Sequence, residues 1–262
     1  MQLADLKVKI FADGADLNGI VDCSLNPLIK GFTTNPTLMR KAGVNDYAAF
    51  AREVLHAIPD KPISFEVFAD EFSEMEAQAL EISSWGPQVI VKIPVTNTKG
   101  MNSVPLIRRL ARSGVRMNVT ALMTLEQVKV AAECLADAPA GYISVFAGRV
   151  ADTGRDPLPM MAEAVCVLSG RPHIELIWAS PRELLNIFQA NDIGCHVITV
   201  TNDLLKKLSL VGKSLEEYSL ETVQMFHHDA VKAGYTLTTS PVPAELALHS
   251  SIKVRENGFY VS

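Results

Sequence analysis

The sequence predicts a single (β/α)8 barrel, in the α/β class, with an extra helix or helices at its C-terminal end. Short β-rich runs alternate with helical patterns along most of the chain, which argues for parallel βα units. About eight such units are visible, the number that closes a barrel. The 262 residues are a length that one such barrel commonly fills.

The strand runs fall at 8–12, 31–35, 62–67, 89–94, 115–120, 141–146, 174–179 and 196–200, with helical stretches near 15–25, 44–57, 72–84, 101–112, 124–136, 157–169, 181–190 and 202–208. Several helices open on recognisable signals. Thr124-Leu125-Glu126-Gln127 is close to a capping box; Asp156-Pro157 and Ser180-Pro181 each read as an N-cap followed by an N1 proline. An open doubly wound sheet is the alternative. Against it, Asp13-Gly14-Ala15-Asp16-Leu17-Asn18-Gly19 follows the first strand where a G-x-G-x-x-G would stand, and no phosphate-binding G-x-x-x-x-G-K-[ST] occurs. Residues 215–232 form one or two further helices, and a short helix is possible at 244–249. The segment 234–262 is either an arm that packs on a neighbouring subunit or a frayed terminus. No domain boundary is visible, so 1–262 reads as one barrel domain to about 210, followed by a helical extension and tail.

Composition excludes several classes. The net charge is −5 with scattered basic residues, and no basic run or aromatic-basic stripe points to nucleic acid. No apolar stretch reaches about 18 residues, so no membrane span is expected. The start, Met1-Gln2-Leu3-Ala4-Asp5-Leu6-Lys7, has no secretory pattern. Cys23, Cys134, Cys166 and Cys195 lie far apart without a C-x-x-C pair, and read as reduced thiols of a cytoplasmic protein. His56, His173, His196, His227, His228 and His249 show no ligand spacing, so no metal site is expected.

The residue that stands out is Lys92, a lone cation in the apolar run Val89-Ile90-Val91-Lys92-Ile93-Pro94. Burial disfavours the charged form of an unpaired lysine, and a neutral amine is a nucleophile whose usual carbonyl chemistry is a Schiff base. The bland alternatives are a head group that snorkels to water, or an ion pair. Strand alternation places Ser64 and Glu66, Lys92, Asn118 and Thr120, Ser144 and Phe146, and Trp178 and Ser180 on one face of their strands. Asp13 follows the first strand and Asn35 closes the second. Nearly all these groups fall at strand C-terminal ends, where a βα barrel builds its active site. The other face is apolar apart from Glu175 and suits contact with the helices. Taken singly, Asp13 reads as a helix N-cap, Asn35-Pro36 as a turn, and Thr120 and Ser144 as backbone partners. Glu66, between Phe65 and Val67, is costly unless paired or protonated. Their convergence on one mouth points to a catalytic site.

Five motifs then resemble the transaldolase family. They are Gly31-Phe32-Thr33-Thr34-Asn35-Pro36-Thr37, Val91-Lys92-Ile93-Pro94-Val95-Thr96, Asn118-Val119-Thr120, Ser144-Val145-Phe146-Ala147-Gly148-Arg149 and Trp178-Ala179-Ser180-Pro181-Arg182. The resemblance covers the first strand to the eighth. It implies a (β/α)8 barrel that needs no metal or organic cofactor, acts on sugar phosphates and assembles as a homo-oligomer. By position it implies Lys92 as the Schiff-base lysine and Asp13 as the acid–base group for C3–C4 cleavage. Glu66 and Thr120 match the pair that positions a water. Asn35 and Asn118 match positions that hold the dihydroxyacetone hydroxyls, with Thr34 beside them, and Ser144 lines the three-carbon unit. Arg149, Ser180 and Arg182 match the phosphate site, with Arg155 in the same loop as a substitute for Arg149. Trp178 departs from the smaller residues of several members and, beside the phosphate site, is expected to narrow or reshape the pocket. The family includes aldolases that release free dihydroxyacetone, and these tend to carry Gln at the Glu66 position and Tyr at the Phe146 position. Glu66 and Phe146 are the transferase-like combination. Three readings follow: a transferase of dihydroxyacetone units, a lyase that releases them, and a non-catalytic barrel that binds a sugar phosphate.

Overall fold

Each β-rich run pairs with the next one along the chain, and the eighth returns to the first. The strands are β1 (Lys9–Asp13), β2 (Ile29–Thr33), β3 (Ile63–Glu66), β4 (Val89–Pro94), β5 (Met117–Leu122), β6 (Gly141–Val145), β7 (Ile174–Trp178) and β8 (Val197–Thr201). All eight pairings are parallel and the barrel is closed in the order β1 to β8. The structure is a computed structural model that describes residues 3–238. The expected helix at 244–249 lies outside these residues.

The helices are α1 (Leu17–Ser24), α2 (Pro36–Lys41), α3 (Tyr47–Ala57), α4 (Phe72–Ser84), α5 (Val104–Arg112), α6 (Leu125–Cys134), α7 (Ala147–Asp152), α8 (Leu158–Leu168), α9 (Leu185–Asp192), α10 (Asn202–Leu205) and α11 (Leu215–Lys232). The expected capping box is formed: Thr124 Oγ1 accepts from Gln127 N, and the Gln127 side chain accepts from Thr124 N. Two short helices, α2 and α7, were not legible from periodicity, because each is only six residues long. The helix expected from 181 begins only at Leu185. No helix among the described residues is long and apolar enough to cross a membrane. The chain divides into two compact units, Met1–Gly212, which holds the barrel, and Lys213–Ser262, which holds α11. Helix α11 is capped by Ser214, whose hydroxyl accepts from Glu217 N.

Strand alternation sorts the core. Val91, Ile93, Met117, Val119, Ile143, Val145, Leu176 and Trp178 pack outward with helix residues such as Val54, Ile107, Val128 and Ile187. Phe11, Ile177, Ala179 and Val197 fill the barrel interior with Tyr142 and Phe146. Phe11 explains Gly31: a Cβ at Gly31 would lie 2.7 Å from the Phe11 ring, so this inward position of β2 has no room for a side chain.

Two expectations are corrected here. Trp178 faces the helices and is 1% exposed, so it does not narrow the pocket. Glu175 lies on the interior face at the other end of the barrel, where its Oε2 accepts from Lys9 Nζ at 2.7 Å. The cause is local. Ser180 adopts a left-handed backbone with φ of 61°. That turn breaks the alternation, so counting back in twos from Ser180 picks the wrong face of β7.

Candidate active site

The C-terminal ends of the strands surround a cavity of about 160 Å³ lined by Asp13, Thr33, Asn35, Lys92, Thr120, Ser144, Phe146, Arg149, Ala179, Ser180, Pro181, Arg182, Thr199 and Thr201. Nine of these are among the predicted site residues. Thr34, Glu66 and Asn118 stand behind the lining and hold it.

Lys92 is 6% exposed, yet it is not a lone cation. Its Nζ lies 3.0 Å from Glu66 Oε2 and donates to the Thr34 carbonyl at 2.8 Å. The sheet explains the first contact, since Glu66 and Lys92 are register partners across β3 and β4. Side chains at paired positions on one face of a sheet meet. Glu66 therefore meets the requirement that a half-buried acid be paired. Thr34 contributes its carbonyl; its own hydroxyl turns away to Ser64 O at 2.8 Å.

Asp13 is not a helix N-cap. That place belongs to Asp16, whose Oδ2 accepts from Gly19 N at 2.7 Å. Asp13 Oδ1 instead accepts from Thr33 Oγ1 at 2.7 Å, and Thr33 Oγ1 in turn contacts Thr199 Oγ1. Burial raises the Asp13 carboxyl above the ordinary aspartate range, against the opposing pull of Lys92 and the Thr33 hydroxyl. Asn35 lines the cavity and also caps α2, its Oδ1 accepting from Leu38 N at 3.0 Å. Asn118 Oδ1 accepts from Ser144 Oγ at 2.7 Å, and its amide reaches Ser64 Oγ at 3.3 Å. The Thr120 hydroxyl is buried and has no protein partner.

A second group of residues forms the rim. Arg149, on α7, sits over the Phe146 ring with its Cζ 5.5 Å from the centroid. The Arg182 fork is held by Asp152 at the end of α7: Nε donates to Oδ1 at 2.9 Å and Nη2 to Oδ2. This pairing holds the Asp152 carboxyl below its ordinary range and the Arg182 guanidinium above its own. Gly148 lets α7 approach the Ser180 turn, for a Cβ there would lie 1.6 Å from Ser180 O. Arg155 is exposed, bonds Thr153 Oγ1 at 2.9 Å and does not line the cavity.

Sequence reasoning missed Thr33, Thr199, Thr201 and Asp152. The threonines of β8 carried a signal, since Val197, Thr199 and Thr201 alternate toward the interior. Asp152 carried none, because only the approach of α7 to the Ser180 turn brings it to Arg182.

Comparison with known proteins agrees with this architecture. The family described as Transaldolase/Fructose-6-phosphate aldolase matches residues 10–237. A "Probable transaldolase" of Thermoanaerobacter sp. is 32% identical over 228 residues, covering 87% of this chain and 99% of that protein. Another, of Dehalococcoides mccartyi, is 32% identical over 202 residues, covering 77% and 90%. A "Probable transaldolase 2" of Listeria monocytogenes is 34% identical over 215 residues, covering 80% and 94%. Among solved structures, 2,3-dimethylmalate lyase shares the fold alone, with a TM-score of 0.50, 15% identity and coverage of 95% and 92%. The match to the family model and the identity to these relatives cover most of the chain: it is an enzyme that belongs to the transaldolase/fructose-6-phosphate aldolase family.

Proposed function

We propose that the enzyme transfers a dihydroxyacetone unit from a ketose phosphate of the fructose 6-phosphate type to an aldose acceptor, through an imine on Lys92. The observation that carries this reading is Lys92 Nζ in the cavity wall, 3.0 Å from Glu66 and in one cavity with Asp13, Arg149 and Arg182.

Each step has a group suited to it. Glu66 takes a proton from the Lys92 ammonium 3.0 Å away, the freed amine adds to the C2 carbonyl of the donor, and the carbinolamine loses its hydroxyl as water. Glu66, with Thr120 and one water, supplies that proton; the unpartnered Thr120 hydroxyl is available to hold such a water. The Asp13 carboxylate then takes the proton from the C4 hydroxyl. The C3–C4 bond breaks, its electrons pass to the imine, and an aldose phosphate leaves. C3 of the bound enamine attacks the carbonyl carbon of the acceptor aldehyde, Asp13 returns its proton to the new hydroxyl, and hydrolysis of the imine frees the product. A carboxyl raised by burial suits both directions of this proton transfer. Asn35, Asn118 and Ser144 hold the three-carbon unit. Arg149, Ser180 and Arg182 bind the phosphate. Asp152 uses Nε and Nη2 of Arg182, which leaves Nη1 to donate.

Transfer is favoured over release by Phe146, which lines the cavity without a hydroxyl. Without a phenol near the catalytic water, protonation of the enamine carbon is slow and the intermediate waits for an aldose. The enzyme is further proposed to be a cytoplasmic homo-oligomer acting on sugar phosphates, as the resemblance implies; sedimentation velocity tests the assembly. Borohydride reduction in the presence of fructose 6-phosphate, followed by peptide mapping, tests the chemistry. The adduct is expected on Lys92, and an adduct on another lysine such as Lys99 overturns the assignment. Consumption of fructose 6-phosphate with and without erythrose 4-phosphate tests the class. Release without acceptor at a rate matching transfer makes the enzyme a lyase instead.

A further inference from the structure

The Lys92–Glu66 pair sits where β2 and β3 part. Up to that point the parallel ladder is regular: Phe32 N donates to Pro62 O at 2.8 Å and Thr34 N to Ser64 O at 3.1 Å. A parallel ladder bonds each residue to the two neighbours of its partner, so the next bond would run from Glu66 N to Thr34 O. Both groups are engaged elsewhere. Glu66 N donates to the Tyr47 hydroxyl at 2.8 Å, and that hydroxyl donates to Glu66 O, also at 2.8 Å. Thr34 O receives Lys92 Nζ at 2.8 Å. The tyrosine hydroxyl thus takes the place of the Thr34 carbonyl in the ladder, and the displaced carbonyl becomes the lysine's acceptor.

Tyr47 is placed firmly for this task. It is the first residue of α3, whose N-cap Asp46 accepts from Ala49 N at 2.9 Å. Its ring packs against Phe65, Phe68 and Trp85, with centroids 6.2, 5.3 and 6.0 Å away. Burial pushes its phenol up, so the hydroxyl keeps the proton that it donates to Glu66 O. Packing alone would be served as well by phenylalanine. The hydroxyl adds a donor and an acceptor, and both are spent on the backbone of one residue, the acid beside Lys92.

We infer that Tyr47 is a positioning residue for the reaction: its hydroxyl captures both backbone groups of Glu66, which aims the Glu66 carboxylate at Lys92 and frees the Thr34 carbonyl to hold the lysine. This inference rests on the proposed role of Lys92. In Tyr47→Phe the ladder closes by one bond, Glu66 N takes Thr34 O, and the lysine loses that acceptor.

The test compares wild type, Tyr47→Phe and Phe68→Leu, which disturbs the same aromatic packing without touching the hydroxyl. Tyr47→Phe is expected to lower kcat and the rate of borohydride trapping at least tenfold, with KM for fructose 6-phosphate within twofold, because the phosphate contacts are untouched. Phe68→Leu is expected to lower Tm and leave kcat unchanged. A Tyr47→Phe enzyme with wild-type kcat and only a lower Tm overturns the inference. So does a fall in kcat for Phe68→Leu that equals the fall for Tyr47→Phe. If Tyr47→Phe does not fold, a crystal structure of the wild type decides: Tyr47 bound to Glu66 N with Lys92 on Thr34 O supports the inference, and a Glu66–Thr34 ladder bond overturns it. Failure of the wild type to trap at Lys92 sinks the functional reading itself, whereas normal trapping with an unaffected Tyr47→Phe enzyme sinks this inference alone.

Discussion

Glu66 and Lys92 stand opposite one another across β3 and β4, and Glu66 Oε2 lies 3.0 Å from Lys92 Nζ. The acid and the amine are thus one unit, each relieving the cost of burying the other. Their side chains keep only 19% and 7% exposure, so neither has water enough to stand alone.

Lys92→Met is therefore expected to abolish turnover and to cost stability as well. Breaking one side of a buried pair costs about 3–5 kcal/mol, and the partial exposure of Glu66 puts this case at the low end. Thermal unfolding should show a clear fall in Tm for Lys92→Met, and a partial return in the double variant Lys92→Met/Glu66→Gln, which leaves no unpaired charge. A single variant as stable as wild type would show that the pair contributes nothing to folding.

Asp13→Asn is expected to be more stable than wild type at neutral pH and to lose kcat by roughly 10²–10⁴-fold. The sign follows from the raised carboxyl. A folded-state pKa above the unfolded value of 3.8 means that the folded protein binds more protons between the two values. Wild-type stability then falls as pH rises through that window and stays lower above it. Asparagine carries no charge at any pH and still accepts from Thr33. The gap in Tm between the two should close as pH is lowered to the unfolded aspartate range. A gap that is constant with pH, or near-normal turnover of Asp13→Asn, would remove Asp13 from the proton transfer.

Arg149→Ala or Arg182→Ala is expected mainly to raise KM for phosphorylated donors, a loss of about 1.5–3 kcal/mol for each charged hydrogen bond. Asp152→Asn should act in the opposite direction. It removes the carboxylate that competes with phosphate for the Arg182 fork and keeps a hydrogen-bonding oxygen. The pair is exposed, so the gain is modest, a KM lower by about 2–5-fold. Assays with fructose and fructose 6-phosphate separate the cases, since only the phosphorylated donor should respond. Equal activity of the wild type on both would remove the basis for a phosphate site here.

Gly148→Ala should damage the same rim without touching a charge. The added Cβ meets Ser180 O at 1.6 Å, so either α7 or the Ser180 turn must move. Overpacking of this kind costs about 1–3 kcal/mol, and the shift carries Arg149, on α7, away from its place in the cavity wall. A higher KM for fructose 6-phosphate together with a lower Tm is the expected result; an unchanged KM would mean that the approach of α7 does not matter for the donor.

Much of this was readable from residue order alone, for definite reasons. Parallel strands in sequence order with helices between them leave a periodic pattern, and eight repeats of it specify the closed barrel. Alternation of period two then assigns Ser64, Glu66, Lys92, Asn118, Thr120 and Ser144 to the inner face, because each lies on a regular stretch of strand; in β5 the left-handed Ala121 comes only after Asn118 and Thr120. Where the backbone leaves that regime, the inference failed. The left-handed Ser180 turned Trp178 outward and brought Glu175 inside. The short helices α2 and α7 span too few residues to show a 3.6-residue period.

The sequence by itself determined the strand order, the barrel and the chemistry collected at one mouth, since these depend on local pattern and on which residue types are present. Only the tertiary structure decided who pairs with whom. Lys92 proves to be paired with Glu66 and Thr34, Arg182 with Asp152, and Glu66 with Tyr47 of α3. Those partners lie 19 to 58 residues apart in the chain. No local period encodes such contacts. They arise when closing the barrel forces buried charges and backbone groups to find partners within hydrogen-bond reach.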